Sequence, residues 1–178
     1  MAKSSKKQIE ADEKKVIREL EKHSNEHIEK IAENCGFSRQ KVWKIIKRLE
    51  KNKTIWGYHA VVDNKKIGLQ RYLILIKRSN KPFSKEHMDS IIKGKIKSET
   101  SKMGIIVDST SYVHGSFDGF FEIRASDVKQ VKRFCEALSN LSKGYISDME
   151  ILEELFPIEK NGIANPNIEE LKDMFLMD

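Results

Sequence analysis

Cysteine is scarce in this sequence, and long apolar runs are missing. The 178 residues include two cysteines, Cys35 and Cys135, and neither belongs to a CxxC pair. The sequence therefore predicts no disulfide framework and no cysteine zinc site, and a reducing cytoplasm is the expected location. No apolar run approaches the roughly 18 residues that a membrane span needs. No apolar segment follows the N-terminal lysines, so no secretory signal and no membrane partner are expected.

Recognisable catalytic sets are also missing. The sequence contains no Ser/His/Asp arrangement, no phosphate-binding glycine loop and no paired carboxylates in a known pattern. His23 and His27 are four residues apart, but Ser24 and Asn25 between them favour a helix break, and no third metal ligand is suggested. We interpret both histidines as surface residues and expect no metal, no cofactor and no enzymatic activity.

The net charge of +6 is confined to the first third of the chain. Residues 1–60 hold 15 Lys and Arg against 9 Asp and Glu, whereas residues 61–178 hold 18 of each kind. A basic segment joined to a neutral remainder indicates a polyanion-binding module with a separate second domain. The alternative is a solvated, lysine-rich surface without a partner.

A basic amphipathic helix is predicted over residues 38–50. At about 100° per residue, one face of this helix is apolar and the opposite face is polar and basic. The apolar stripe consists of Val42, Ile45, Ile46 and Leu49. Ser38 is a suitable N-cap, and Gly36 can take the left-handed turn that ends a preceding helix. The pattern predicts a helix-turn-helix whose second helix enters the major groove of DNA.

The flanking segments complete this predicted domain. Amphipathic patterns over residues 9–21 and 26–34 predict two further helices, the second capped by Asn25. Asn52 is a suitable left-handed end for the basic helix. Residues 55–62 are rich in β-branched and aromatic side chains, which predicts a strand that forms a wing or a link to the next domain.

The C-terminal part alternates strand and helix patterns in the order β-α-β-β-α-β. The strands are predicted at residues 71–77, 105–113, 117–124 and 144–155, and the helices at residues 84–92 and 127–141. This order predicts a four-stranded antiparallel sheet with two helices on one face. The lysine-rich residues 93–102 predict a loop. The other face of the sheet is expected to be apolar and covered by another subunit.

The expected architecture is α+β, with an N-terminal winged helix-turn-helix domain and a C-terminal ferredoxin-like βαββαβ domain. The predicted parts are a basic tail (1–8), the helix-turn-helix domain (9–62), the ferredoxin-like dimerisation and effector domain (63–156) and a helical extension (157–178). The helix predicted at residues 168–177 is too short to be stable alone. It is expected to pack on its own sheet or on a neighbour, or to fray.

The N-terminal pattern resembles the signature of the Lrp/AsnC, or feast/famine, transcription regulators. The residues that match at the family's spacing are Ile31, Ala32, Gly36, Phe37, Ser38, Val42, Ile46, Arg48, Leu49, Glu50, Ile55, Gly57 and Tyr58. Gly115, Phe117 and Asp118 are similar to the family's turn between the middle strands of its second domain. That domain has the same β-α-β-β-α-β order, so the resemblance extends over residues 9–155.

The resemblance implies a regulator that binds double-stranded DNA, dimerises through its sheet domain and assembles further into tetramers or octamers. It also implies an amino-acid effector bound between dimers. The effector-binding residues carried over are His114, Gly115, Ser116, Phe117 and Asp118. A backbone N–H of the turn can hold the ligand's α-carboxylate, and Asp118 can hold its α-ammonium. Alternatively, Gly115 only forms the hairpin turn and Asp118 caps it.

Some positions depart from the family pattern. Ile45 stands where arginine is frequent, Lys53 where glycine is usual, and Gly119 where tyrosine or phenylalanine is common. The departure at Ile45 means that the operator sequence is not transferred from the family.

The predicted DNA-binding residues fall into two groups, with Ser38 at the start of the helix. Those suited to base edges are Arg39, Gln40, Trp43 and Lys44, since arginine can pair with guanine and glutamine with adenine. Those suited to phosphates are Lys41, Lys47, Arg48, Lys51 and Lys53. Trp43 can instead pack beneath the wing, and Arg48 can instead pair with Glu50 or with acids of the first helix.

Two other functions fit parts of this pattern. One is an architectural, nucleoid-like protein that coats DNA with little sequence preference. The other is an enzyme similar to the siroheme decarboxylases, which share this two-domain architecture. Residues 112–120 lack the tryptophan and the second histidine of those enzymes. A sequence-specific, nucleoid-associated regulator is the expected function.

Overall fold

The computed structural model describes residues 5–176. Their contacts group into two units, residues 5–61 with 158–176 and residues 62–157. The first four residues of the predicted basic tail lie outside the described residues. So does Met177, the predicted end of the last helix.

Helices form the core of the first unit: α1 (Lys6–His23), α2 (Ile28–Cys35) and α3 (Arg39–Lys51). The buried apolar side chains are Val16, Leu20, Ile31, Ala32, Cys35, Val42, Ile45 and Leu49. The three predicted helices are confirmed, with shifts at their starts. α1 begins earlier because the Ser5 hydroxyl accepts a hydrogen bond from the Gln8 N–H at 3.3 Å. Asn25 does not cap α2, which follows His27 without a side-chain cap.

The turn between α2 and α3 has the predicted geometry. Gly36 is left-handed, with φ 62° and ψ 35°, and its N–H donates to the Glu33 carbonyl at 2.9 Å. The Ser38 hydroxyl accepts from the Lys41 N–H at 3.3 Å. Glycine ends one helix and serine begins the next, which fixes the angle at which α3 leaves the turn.

The end of α3 differs from the prediction. Asn52 is not left-handed, with φ −85°, and the left-handed residue is Lys53, with φ 64°. The N–H groups of Thr54 and Ile55 both donate to the Leu49 carbonyl, at 2.9 and 3.1 Å. The chain therefore reverses at Lys53.

Replacing Lys53 with glycine is expected to stabilise the first unit. A side chain in the left-handed region costs roughly 1–2 kcal/mol, and glycine removes this cost. Part of the gain is lost because glycine has more conformational freedom in the unfolded chain. We expect Lys53→Gly to raise the free energy of unfolding by about 0.5–1 kcal/mol in denaturant titrations. The matched control is Lys44→Gly, inside α3, which is expected to lower it by about 1 kcal/mol. If both variants changed the free energy of unfolding in the same direction, Lys53 would not be the left-handed residue at the end of α3.

Residues 55–62 do not form the predicted strand. They lie outside regular secondary structure and pair with no strand of the described chain. A strand requires a neighbour for its backbone groups, and β-branched and aromatic composition alone does not supply one. Trp56 is 94% exposed in this segment.

The second unit contains the predicted antiparallel sheet. Its elements are β1 (Gln70–Arg78), α4 (Lys85–Ile92), α5 (Lys95–Lys102), β2 (Ile106–Tyr112), β3 (Gly119–Ala125), α6 (Val128–Ser142) and β4 (Ile146–Glu153). The strand order is β2-β3-β1-β4, so the central β1 pairs Ile74 with Phe121 on one side and Ile151 on the other. Val131, Phe134 and Leu138 of α6 pack on these strands. The ferredoxin-like prediction is confirmed.

The predicted loop over residues 93–102 is wrong, because most of it forms α5. Gly94 is left-handed, with φ 65°, and separates α5 from α4. Ile96 and Met103 pack against the core, and Thr100 between them is 2% exposed. The spacing 96, 100, 103 is helical, but with one threonine and two apolar residues among lysines and serines it is a weak signal.

The face of the sheet opposite the helices is less apolar than expected. Leu73, Leu75, Phe120 and Leu152 lie there. Beside them, Arg124 binds Asp108 through two nitrogens, at 2.7 and 2.8 Å. A shift in strand register between Val107 and Ser109 accompanies this contact and marks a β-bulge in the middle of β2.

The C-terminal segment contains a hairpin that precedes its helical turns. Its short strands are β5 (Glu159–Lys160) and β6 (Ile163–Ala164), followed by a 3-10 turn (Ile168–Glu170) and α7 (Leu171–Phe175). Asn161 and Gly162 both have positive φ, 52° and 77°, as a two-residue hairpin turn requires. The Asn161 amide nitrogen lies 2.8 Å from His59 Nε2. The helix predicted at residues 168–177 starts at Ile168 as expected, but its first turn is a 3-10 turn and α7 begins at Leu171.

Candidate nucleic-acid interface

The exposed face of α3 carries an amide, an indole and lysines. The exposed residues on this face are Gln40, Trp43, Lys44, Lys47 and Lys51. Trp43 is 52% exposed, so it is not packed beneath a wing. Lys44 and Lys51 form no ion pair with any described residue. This face can contact both base edges and phosphates.

Two other residues predicted to contact DNA form ion pairs with carboxylates of α1 and α2. Arg39 Nε lies 3.0 Å from a Glu29 carboxylate oxygen of α2. Arg48 Nε lies 2.6 Å from Glu13 of α1, which is one of the pairings that the sequence left open. The structure thus directs Arg48 towards α1.

Lys41 is held by a buried carboxylate. Its Nζ lies 2.7 Å from Asp12 Oδ2 and 3.8 Å from the centroid of the Phe37 ring. Asp12 is 8% exposed, and Gln8 donates to its other oxygen at 2.9 Å. The Lys41 hydrogen bond lowers the pKa of Asp12 in spite of its burial, so this carboxylate stays charged at neutral pH. Lys41 is therefore a structural cation, and the sequence reasoning missed Asp12. The available signal was its position four residues before Val16, on the buried side of α1.

Lys47 is shared between the exposed face and an intrahelical pair. Its Nζ lies 2.8 Å from Glu50 Oε2, and the Tyr58 hydroxyl donates to Glu50 Oε1 at 3.3 Å. The bond from Lys47 lowers the pKa of Glu50. Because Lys47 is about half exposed, this pair is weak and DNA phosphate can compete for the ammonium group.

Ile45 lies in the core. It is 4% exposed and packs within the cluster that contains Val42 and Leu49. The departure from the family at this position is thus on the buried side of α3, away from the face that carries Trp43 and Lys44.

The turn predicted to bind an effector joins β2 to β3. His114, Gly115 and Ser116 are exposed, and Lys77 Nζ lies 5.2 Å from the Phe117 ring. Asp118 has firmer contacts. Its N–H donates to the Ile76 carbonyl at 2.8 Å.

The Asp118 side chain also has a structural partner. Its Oδ2 accepts from the Arg78 backbone N–H at 2.7 Å, so the carboxylate anchors the turn to β1. A Cβ added at Gly119 would lie 3.0 Å from the Ser111 carbonyl oxygen, so a larger residue there would require the backbone of β2 to move by a few tenths of an ångström. The turn can offer the second Asp118 oxygen to a ligand, while the first is already engaged.

Within residues 5–176, no cluster of His, Cys, Asp and Glu has the arrangement of a metal site. His23 and His27 are both exposed. No helix of the described chain is both long and apolar enough to cross a membrane.

The fold and this face define a class: a helix-turn-helix module with a basic second helix, in one chain with a βαββαβ domain. Residues 13–55 match the family model described as winged helix-turn-helix DNA-binding. This match covers α2, α3 and the part of α1 from residue 13 onwards, and it assigns this helical module as DNA-binding. No curated protein matches the chain.

Solved structures of transcription regulators share the fold of the whole chain. An AsnC family transcriptional regulator from Agrobacterium tumefaciens is 17% identical, covers 93% of this chain and 98% of its own, and has a TM-score of 0.61. Transcriptional regulator NMB0573 from Neisseria meningitidis, solved in complex with L-Met, is 15% identical over 93% and 98%, with a TM-score of 0.64. LrpC of B. subtilis is 18% identical over 89% and 99%, with a TM-score of 0.58. The expected Lrp/AsnC architecture is confirmed as a fold.

Proposed function

We propose that this protein is a sequence-specific, DNA-binding transcription regulator of the Lrp/AsnC type. The observation that carries the proposal is the exposed amide, indole and lysine face of α3 in a module matched as DNA-binding. The chain's full-length likeness to regulators supports the same conclusion and favours a role other than catalysis. Such a protein acts on DNA in the cytoplasm, in association with the nucleoid.

The proposed contacts follow from where each side chain lies along α3 and from how it is paired within the protein. Arg39, Gln40, Trp43 and Lys44 lie at or after the start of α3, the part of a recognition helix that reads base edges. Lys47, Lys51 and Lys53 lie further along and at its end, suited to phosphates. Lys41 and Arg48 orient the helix through α1 and contribute less to DNA directly.

The proposal includes a dimer formed through the open face of the sheet. Leu73, Leu75, Phe120 and Leu152 supply its apolar part. A dimer presents two α3 helices to half-sites about one helical turn apart or a multiple of it. Tetramers or octamers of such dimers would bind several sites together.

Footprinting tests sequence specificity against architectural coating. Genomic fragments that the protein retains in a pull-down are digested with a nuclease while the protein is titrated. We expect a bounded footprint that saturates before the flanks are protected, with half-sites spaced by about one helical turn or a multiple. Uniform protection that spreads along every fragment, including shuffled-sequence controls, would instead establish the architectural role.

An amino-acid effector at the turn is the second part of the proposal, and L-Met bound to the Neisseria regulator supports the ligand class. Asp118→Asn keeps an oxygen for the Arg78 N–H and removes the charge that an α-ammonium requires. A thermal-shift panel identifies the amino acid that stabilises the wild type. We expect the apparent affinity of Asp118→Asn for that amino acid to be at least about tenfold lower than that of the wild type.

The control is Asp118→Ala, which also loses the anchoring bond and is expected to be less stable by about 0.5–1.5 kcal/mol. Effector binding by Asp118→Asn at wild-type affinity would restrict Asp118 to its structural role.

A further inference from the structure

A cavity of about 100 Å³ lies inside the second unit, between the helices and one end of the sheet. Its wall is mostly apolar and includes Ile76, Ile91, Ile96, Phe121 and Leu138. Apolar cavities of roughly 150 Å³ stay dry and admit a benzene ring. This cavity is thus close to the size of one six-membered ring.

Aromatic side chains form one end of the cavity. The His87 ring stacks on Tyr145 with centroids 4.0 Å apart, and on Phe83 at 5.3 Å. The Tyr145 hydroxyl accepts from the Ser84 N–H at 3.2 Å, at the start of α4. This bond ties the aromatic wall to the backbone, so the wall is preformed.

Arg78 supplies a charged group in the same wall. Its guanidinium carbon lies 3.7 Å from the centroid of the Phe83 ring. Its Nε is buried and has no acceptor within the described chain. A buried donor without an acceptor is unfavourable, so an anionic group that reaches this nitrogen would gain a charge-assisted hydrogen bond.

The remaining charges around the cavity favour an anion. Lys81 Nζ lies 4.3 Å from the Tyr145 centroid. Burial, together with the positive charges of Lys81 and Arg78, lowers the pKa of His87. Asp118 is the opposing carboxylate in the wall, but one of its oxygens already accepts from the Arg78 backbone N–H.

We propose that this cavity binds a small aromatic monocarboxylate, with the ring among the apolar side chains and the carboxylate on Arg78. The cavity lies within one chain, behind the sheet, and shares Asp118 with the proposed effector turn. It differs from that site in its other walls and in the charge of the ligand group that it would bind, which is a carboxylate on Arg78. It involves no residue of the helix-turn-helix, so it stands or falls separately from the DNA-binding proposal.

A charge series of ring ligands tests the assignment on the full chain. The probes are benzoate, neutral benzyl alcohol and cationic benzylamine, titrated while methyl NMR signals are observed. We expect benzoate to bind with a dissociation constant on the order of 0.1–1 mM, with intermolecular NOEs to Ile91 and Leu138. Benzyl alcohol is expected to bind at least about tenfold more weakly. Methyl signals of Val42 and Leu49 should not shift.

Variants separate the charge from the cavity. Arg78→Gln is expected to weaken benzoate binding about tenfold or more and to leave benzyl alcohol unchanged. Lys77→Gln, the same charge change at the neighbouring exposed position, is the control and should bind as the wild type does. Ile91→Phe fills the cavity and should abolish binding of every ring.

The proposal would be overturned by any of three results. These are no saturable benzoate binding below about 10 mM, tighter binding of benzylamine than of benzoate, and unchanged benzoate affinity in Arg78→Gln. If Ile91→Phe does not fold, the ligand charge series and the Arg78→Gln and Lys77→Gln pair still decide the question.

Discussion

Raising the salt concentration from 50 to 200 mM is expected to lower the affinity for operator DNA on the order of 10³–10⁵-fold. This range applies to a protein that makes about six to ten phosphate contacts. The lysines best placed for such contacts are Lys44, Lys47, Lys51 and Lys53, which gives about eight cations in a dimer. Arg39, Lys41 and Arg48 add less, because their charges are already paired within the protein.

A double variant on α3 measures part of this contribution. Lys44→Ala with Lys47→Ala removes about four cations from a dimer, so the slope of log affinity against log salt should become shallower by about 3–4. At low salt we expect gel shifts to show an affinity loss on the order of 10²–10³-fold. The control is Lys14→Ala with Lys22→Ala, an equal loss of charge at exposed positions of α1.

Either of two results would count against this face. One is a nearly salt-independent affinity of the wild type. The other is an equal affinity loss in the α1 and α3 double variants, which would mean that DNA responds to net charge alone. Circular dichroism and the oligomeric state should be unchanged in both variants, since all four lysines are exposed.

Truncating Leu49 is expected to abolish DNA binding without removing any DNA contact. Leu49 is 2% exposed and belongs to a core of few side chains. Leu→Ala in such a core costs about 2.7–5 kcal/mol. A unit of this size rarely has more than about 3–5 kcal/mol of stability from its core. Leu49→Ala should therefore leave α1 to α3 largely unfolded under conditions in which the wild type binds DNA.

Hydrogen exchange resolved by peptide checks this expectation. The two units have separate buried clusters, so peptides from β1 and β3 should keep their protection while peptides from α1 to α3 lose it. Leu176→Ala, the same chemical change at a site that is 64% exposed, is the control and should cost less than about 0.5 kcal/mol. Loss of protection throughout the chain would contradict the separation of the two cores.

Periodicity and capping residues predicted most of the secondary structure. Ser38 and Gly36 defined the turn because each residue type has a backbone preference that few others share. Prediction was poorer where the outcome depends on distant partners. Residues 55–62 have strand composition but no strand to pair with, and Thr100 becomes a buried residue only because α5 packs on the core.

Two misses have local causes. Asparagine adopts the left-handed conformation more readily than lysine, yet Lys53 and not Asn52 adopts it. The hydrogen bonds from the Thr54 and Ile55 N–H groups to the Leu49 carbonyl place the left-handed residue at Lys53. Asn161 and Gly162 carried a hairpin signal that the short flanking strands made easy to overlook.

The candidate site was harder to predict than the fold. The sequence shows which residues of α3 are basic, but it does not show which of them are neutralised. That depends on Asp12 and Glu13, which are more than 25 residues away in the chain and adjacent only after α1 packs on α3. Arg78 and its aromatic neighbours had no recognisable spacing, because strand, loop and helix each contribute part of the cavity wall.

The ion pairs behind α3 also determine how this helix is rotated about its own axis. Lys41 and Arg48 are two helical turns apart, and both are anchored to α1. In each pair the basic side chain is nearly half exposed and the acid is largely buried. Any rotation of α3 about its axis would lengthen both contacts at once. The exposed face of α3 is therefore oriented before DNA binds, and the helix loses little orientational freedom on binding. A recognition helix that is fixed in this way fits few groove geometries, so any conformational adjustment on binding has to occur in the DNA.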